Sequence, residues 1–240
     1  MNNNKIVQLL GGLVLVVGLL MGLGFTAVAT VGDLESAIFV SGLPADERLA
    51  SLRCPLVMNA GETANVTADI TNHSDRARLR TVRAQISIGL SNLTREEEAH
   101  FEQPAGETRQ LAWEVTPEDA AYGESLILVQ VYSVPNSPLP SLSGSCGIML
   151  VNIPGLTGQQ IVGVFFALTL LCITVGGGMW LASHRPLEGR AARQATGLGT
   201  LTAFVILGMA GSLTGIWIIG LAAVVLAIIL SASLFGTFAR

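Results

Sequence analysis

Long apolar runs stand near both ends of the chain and enclose a stretch with a different pattern. Residues 6–29 and 161–182 can each form one membrane-spanning helix, since a hydrocarbon core of roughly 30 Å needs about 20 apolar residues. The run 198–238 is too long for one span and fits two, with a turn at Gly211-Ser212-Leu213-Thr214-Gly215. The pattern predicts four helices, assigned to residues 1–30, to 159–182 and, as a helical hairpin, to 197–240.

The first apolar run has a second interpretation. Lys5 precedes it and Ala27-Val28-Ala29 ends it, as in a secretory signal peptide with an A-x-A cleavage site. The run exceeds the roughly 7–15 apolar residues of such signals, and this length favours an uncleaved anchor.

Between the apolar runs, residues 54–152 alternate short β-type segments with turn signals. In residues 80–90 every second side chain is apolar, which is typical of a strand with one buried face. The predicted strands are 54–58, 63–71, 80–90, 98–102, 107–115, 124–134 and 146–152. The predicted fold class is therefore mixed: four transmembrane α-helices plus an extracytoplasmic all-β immunoglobulin-like sandwich within residues 31–158.

Two segments of this region repeat each other. Residues 60–71 (AGETANVTADIT) and 105–116 (AGETRQLAWEVT) both read as a turn glycine, a polar edge and an alternating strand. The pattern resembles strands of bacterial membrane-anchored immunoglobulin-like cell-surface domains, over about residues 54–152. The segment 118–122 resembles the corner of such folds, which implies that the Tyr122 hydroxyl bonds nearby backbone.

Charge predicts the orientation. The chain is 50% hydrophobic and only 12% charged, and residues 31–158 hold sixteen of its seventeen acidic residues with eight arginines. That segment has a balance of −8, whereas the remaining residues, including the basic loop 183–196, have a balance of +4. Because basic residues near span ends stay in the cytoplasm, we expect a multi-pass plasma-membrane protein with both termini inside and residues 31–158 outside.

Cys54 and Cys146 bracket the predicted sandwich in a compartment where disulfides persist. We expect them to be bonded; the alternative is two reduced, buried cysteines. Cys172 falls in the second span and is interpreted as a packing residue.

Candidate chemistry in the water-facing segment is sparse. Arg76, Arg78, Arg80 and Arg83 could receive an anionic ligand or an acidic partner, or they could pair with the local carboxylates of Glu96–Glu98. Glu97 and His100 have the spacing of two metal ligands on a helix but lie beside a predicted strand, which favours a solvated acidic loop. No catalytic residue, metal site or cofactor is predicted, and the acidic balance argues against a nucleic-acid partner.

The Pro- and Ser-rich segment 134–145 reads as a loop that either binds a partner or only connects two strands. Three N-x-[ST] triplets begin at Asn65, Asn72 and Asn92, and His73 lies in a predicted turn.

The predicted spans contain no ionisable residue, which argues against ion-coupled transport. They are rich in small residues, which allow helices to approach closely. The candidate helix-packing residues are Gly18, Gly22, Ala223, Ala227 and Ser231. The face carrying Ala223 and Ala227 is expected to contact another membrane protein or a second copy of the chain.

These observations favour a non-enzymatic integral membrane protein whose immunoglobulin-like module serves protein–protein interaction, such as an accessory subunit of a membrane assembly. The alternative is a membrane receptor whose β-sandwich binds a solute or glycan. An embedded enzyme or transporter ranks third, because the predicted spans are uncharged.

Overall fold

The computed structural model describes residues 3–39, 45–89, 93–123, 125–134 and 139–238. The helices are α1 (Asn3–Phe39), α2 (Gly158–Ser183), α3 (Gly189–Leu213) and α4 (Trp217–Phe238), with a short 3-10 helix at Pro117–Asp119. The strands are β1 (Glu47–Arg48), β2 (Val57–Asn59), β3 (Ala64–Thr71), β4 (Arg78–Ile88), β5 (Leu93–Gln103), β6 (Thr108–Val115), β7 (Leu126–Ser133) and β8 (Leu142–Val151).

Three of the described helices are long and apolar enough to cross a membrane, judged by length and composition. They are Lys5–Phe39, Gly158–Ser183 and Ala191–Leu213. The described apolar part of α4, Trp217–Ser233, is shorter. The helices therefore fit a membrane protein with three candidate spans, and the fourth span stays a prediction.

The chain divides into two compact units. Met1–Thr30 and Val162–Arg240 form a helical bundle, and Val31–Ile161 form a unit that contains the described strands. The first turns of α3 occupy residues 189–196, so about half of the predicted basic loop 183–196 is helical.

The β-unit contains a larger and a smaller sheet. The larger has the order β1-β8-β7-β4-β5, and β2 pairs with a later part of β8. Both β1 and β2 run parallel to β8, which makes this sheet mixed. The smaller sheet pairs β3 with β6 antiparallel over eight residue pairs, from Ala64 opposite Val115 to Thr71 opposite Thr108. The two segments that repeat each other in sequence are therefore hydrogen-bonded neighbours.

One core lies between the inner faces of the two sheets. Alternate residues of β4 and β7 are fully buried in it, as the period of two in β4 predicts. From the smaller sheet it receives the side chains of Val66, Ala68, Ile70, Trp113 and Val115.

Two strands are longer than the sequence predicts. Strand β5 begins at Leu93 rather than 98, because its charged residues line a sheet edge and hide the alternation. Strand β8 begins at Leu142 rather than 146, so residues 142–145 of the predicted loop 134–145 are strand. Residues 135–138 of that loop lie outside the described residues.

Helix α1 continues nine residues past Thr30 into the β-unit, where the sequence predicts the water-facing segment to begin. This extension lies against β8, and a Cβ atom added to Gly147 would lie 2.3 Å from the carbonyl oxygen of Gly32. Asp33 and Ser36 are buried there, and the Asp33 carboxylate accepts a long hydrogen bond from the Gly147 amide at 3.4 Å. Asp33 therefore lies where the helix contacts β8, and the buried Ser36 hydroxyl donates to the Asp33 carbonyl oxygen.

Candidate functional site

Arginine side chains gather at one end of the β-unit, where β4 and β6 begin and β5 ends. Arg78 and Arg80 lie on the same inner face of β4 as the core residue Val82. Arg109 comes from the inner face of β6 and lies over the ring of Phe101, 4.4 Å from its centroid. Arg76 is exposed in the loop before β4. We call Arg76, Arg78, Arg80 and Arg109 the basic end.

Arg80 is the most deeply placed member of the basic end, with 3% of its surface exposed. One terminal nitrogen donates to the Ser133 hydroxyl at 3.3 Å and the other to the Thr71 carbonyl oxygen at 3.5 Å. Burial lowers the pKa of this guanidinium, because the charged form loses water contacts. These two long, neutral contacts compensate little of the cost of burying the charge.

No residue of the basic end forms an ion pair with a carboxylate among the described residues. The buried Nε atoms of Arg78 and Arg80 also lack a hydrogen-bond partner there, and so does the Oε1 atom of Gln103. Gln103 is directly opposite Arg78 in the β4–β5 register. Unused donors thus remain on the guanidinium groups of this end.

Asn72 organises the loops around the basic end. Its side-chain amide donates to the carbonyl oxygens of Arg76, Gln103 and Pro104, and its Oδ1 accepts from Ser74. Because this side chain is fully buried, the triplet at Asn72 is not an accessible glycosylation site. Asn65 is exposed on β3, and the triplet at Asn92 begins outside the described residues.

Arg83 behaves differently from the other arginines of the sequence cluster. It points to the outer face of the larger sheet and pairs with Glu96 at 3.2 Å and Glu98 at 2.8 Å. This contact lowers the pKa of the Glu98 carboxyl and raises the pKa of Arg83, to which the Tyr132 hydroxyl also contributes. Of the four clustered arginines, Arg83 is therefore the one that pairs with carboxylates of Glu96–Glu98 among the described residues.

The predicted Glu97/His100 spacing falls on a strand. Successive strand residues point to opposite faces, so side chains three apart diverge and do not share a ligand. His100 instead contacts the Thr81 hydroxyl at 2.8 Å and Glu98 at 3.4 Å. His73 is exposed. Within the described ranges, no three His, Cys, Asp or Glu side chains come together as a metal site.

Arg95 and Asp119 form an ion pair that local sequence patterns did not reveal. The Nε and one terminal nitrogen of Arg95 donate to the two Asp119 oxygens at 2.7 and 3.0 Å. Asp119 also accepts from the Thr116 amide, and Arg95 also contacts Glu97 and the Glu114 carbonyl. The hydrogen bonds to Asp119 raise the pKa of Arg95.

The expected tyrosine corner is wrong. Tyr122 lies in a turn with a positive φ of 52°, and its ring is half exposed. Among the described residues, its hydroxyl makes no hydrogen bond to backbone. In the same segment, Asp119 accepts hydrogen bonds from Arg95 and from the Thr116 amide, and these bonds hold the segment in place.

The structure joins Cys54 and Cys146 by a disulfide, as expected from the sequence. Cys146 is buried in the core, and Cys54 packs against it between the bridge residue Arg53 and β2. Cys172 is a free cysteine in α2.

The small residues of the helices pack within the bundle itself. A Cβ atom added to Gly18 would meet the Cys172 side chain at 2.9 Å, and one added to Gly22 would meet Val205 at 2.4 Å. Ala223 and Ala227 are buried, and Ser231 donates to the Ala227 carbonyl oxygen. The face expected to contact a partner is thus filled by the chain's own helices.

The similarity of the whole chain to known proteins is low. No protein-family model and no curated protein sequence matches it. Among solved structures, a β-glucosidase from Erythrobacter marinus aligns with a TM-score of 0.29 and 19% identity. The alignment covers 40% of this chain and 14% of the glucosidase, and a likeness this weak carries no argument about fold or activity.

Proposed function

We propose that this protein is a non-enzymatic membrane protein that presents its β-unit outside the cell for protein–protein interaction. In this proposal α4 is the fourth span, since its 22 residues extend about 33 Å. Both termini are then cytoplasmic, as the charge balance predicts. The two sheets around one disulfide-linked core support an immunoglobulin-like domain.

The observation that carries the proposal is the basic end. Its guanidinium groups have no carboxylate partner among the described residues, although the domain as a whole is acidic. Guanidinium groups bind carboxylates through paired, charge-assisted hydrogen bonds. The partner we propose is an acidic segment of another membrane protein, which contacts the accessible Arg76, Arg78 and Arg109.

The test is purification of the full chain in a mild detergent, followed by identification of stoichiometric partners. The variant Arg76→Gln/Arg109→Gln removes two exposed charges of the basic end, and Arg83→Gln removes an arginine that Glu96 and Glu98 already neutralise. We expect loss of the partner with the double variant only. The parent association should also weaken with salt, which screens exposed charges beyond about 10 Å at 0.1 M.

Recovery of the parent as a lone monomer from mild detergent would contradict the proposal. So would a double variant that keeps every association of the parent, because the basic end is then not the contact surface.

A further inference from the structure

Exposed apolar side chains of the β-unit are concentrated at the end opposite the basic end. Leaving aside α1, this unit has six large apolar side chains that are exposed among its described residues. Leu79 alone lies at the basic end, beside Arg78 and Arg80. The other five are Ile88, Leu93, Tyr122, Ile153 and Leu156. We call these five the apolar end.

The strand register places the apolar end on one side of the β-unit. Ile88 and Leu93 are the final pair of β4 and β5, whereas Leu79 is opposite Glu102 near the other end of the same two strands. Tyr122 lies just before the first residues of β7. Ile153 and Leu156 follow the last residue of β8.

Each of three turns at this end holds an apolar side chain beside a glycine with positive φ. Gly89 follows Ile88, Gly123 follows Tyr122, and Gly155 precedes Leu156, with φ values of 64°, 70° and 80°. Tyr122 itself adopts a positive φ, which is unfavourable for a residue with a Cβ atom. The strained backbone of Tyr122 therefore costs free energy, and because the ring is exposed, burial in the core does not offset this cost.

The chain leaves the β-unit for α2 at this end. The side-chain amide of Asn59 donates to the carbonyl oxygens of Ile153 and Leu156, at 2.6 and 2.5 Å. Glu62 accepts from the amide of Gly158, the first residue of α2. Leu156 is thus fixed to the sheet two residues before a helix that is long and apolar enough to cross a membrane.

From these observations we propose that the apolar end lies in the interfacial layer of the phospholipid bilayer. Continuity with α2 brings this end to the membrane surface, where apolar side chains insert beneath the headgroups and tyrosine is enriched. The contact removes apolar surface from water. This lipid contact is separate from the protein interaction proposed for the basic end.

The experiment uses the full chain with Cys172→Ser, so that an introduced cysteine is the only free thiol. An environment-sensitive NBD fluorophore is attached to Leu93→Cys, or to the matched control Leu79→Cys. Leu93 and Leu79 are 65% and 59% exposed in the same strand pair. Each protein is placed in phosphatidylcholine nanodiscs, with and without bromine on the upper acyl chain.

We expect blue-shifted emission from the label at position 93 and about a twofold loss of its intensity in brominated lipid, as for side chains at the headgroup boundary. The label at position 79 should show neither effect. The intact Cys54–Cys146 disulfide, read by non-reducing mass spectrometry, verifies that both variants are folded.

Equal emission from the two positions, without quenching, would overturn the proposal. A blue shift at position 93 that brominated lipid does not quench would also overturn it, because protein and not lipid then covers the site. Neither result bears on the Arg76→Gln/Arg109→Gln experiment, so the two proposals fail separately.

Discussion

The partly buried Arg95 and the almost fully buried Arg80 of the β-unit are stabilised in different ways. Arg95 meets both oxygens of Asp119, a geometry that gives strong, charge-assisted hydrogen bonds. Arg80 has only a hydroxyl and a carbonyl oxygen as partners. The first arrangement stabilises the domain, whereas the second leaves the buried positive charge of Arg80 largely uncompensated.

Asp119→Asn should destabilise the β-unit by about 2 kcal/mol, since a hydrogen-bonded charge pair loses one of its charges. Glu97→Gln is the matched control, because Glu97 contacts the same arginine from an exposed position where ion pairs contribute little. Thermal unfolding followed by near-UV circular dichroism measures both. Equal melting temperatures for the two variants would contradict the role given to Asp119.

Asp46 gives a prediction on pH. Hydrogen bonds from the Ser141 amide and hydroxyl hold the pKa of Asp46 below its ordinary value of 3.8. A carboxyl with a lowered folded pKa stabilises fully above its unfolded pKa, and this contribution disappears as pH falls through the folded pKa. Relative to Asp46→Asn, the parent should therefore lose melting temperature below about pH 4. If the melting temperatures of the parent and of Asp46→Asn changed in parallel from pH 6 to about pH 3, this contribution would be excluded.

For single residues, the sequence predicts a contact best when the two partners lie near each other along the chain. The sequence offers Glu96–Glu98 as local carboxylate partners for the arginine cluster, and Arg83 pairs with Glu96 and Glu98. The different environment of Arg80 depends on the strand face it occupies and on the residues across the core, which charge spacing does not encode. Asp119 was assigned to a motif, but its partner Arg95 is 24 residues away.

At the scale of elements, a helix and a strand meet through glycine. Residues 31–39 continue α1 into the β-unit, where Gly32 contacts β8, and this contact depends on Gly147 having no side chain. The sequence pattern misses this extension, because Asp33 and Ser36 resemble the start of a polar segment when the strand that buries them is not known. By contrast, β4 shows its period of two directly, since one face meets the core and the other does not.

Gly147→Ala should cost about 2 kcal/mol, because its Cβ atom would lie 2.3 Å from the Gly32 carbonyl oxygen and force the helix away. Gly61→Ala is the control, since a Cβ atom there meets no atom within 4 Å. Unfolding of the two variants in the same detergent compares them. Gly147→Ala as stable as Gly61→Ala would show that the helix does not pack on β8.

Inside the bundle, Ala227→Leu should reduce thermal stability by about 2 kcal/mol through overpacking. Ala227 is fully buried, whereas Ala222, five residues earlier on α4, is exposed, so Ala222→Leu makes the same chemical change on an exposed surface. Helical ellipticity on heating measures the loss, and membrane fractionation checks insertion. If Ala227→Leu and Ala222→Leu were equally stable, Ala227 would instead be interpreted as a contact to a partner outside the bundle.

For the whole molecule, the unequal distribution of charge predicts which side each part faces. The β-unit contains nearly all the acidic residues, while the basic residues Arg185, Arg190 and Arg193 follow α2. The long apolar runs in the sequence predict the division into a helical and a water-facing unit. The mixed larger sheet was not visible, because the parallel pairing of β1 and β2 with β8 joins residues about 90 positions apart.

In a Cys172→Ser background, a membrane-impermeant maleimide should label Ala77→Cys in intact cells but label Ala191→Cys only after permeabilisation. The expectation follows from the retention of basic loops in the cytoplasm. Ala77 is an exposed loop residue of the β-unit, and Ala191 lies in the first turn of α3. Labelling of position 191 from outside would rule out the four-span topology.

The pairing of β1 and β2 with β8 also sets an order of events while the chain is being made. Both strands are synthesised early, yet the neighbour they require is the last strand before α2. Cys54 likewise has its disulfide partner, Cys146, 92 residues later in the chain. Neither closure of the sheet nor formation of the Cys54–Cys146 bond can therefore precede synthesis of β8, the strand that leads directly into α2.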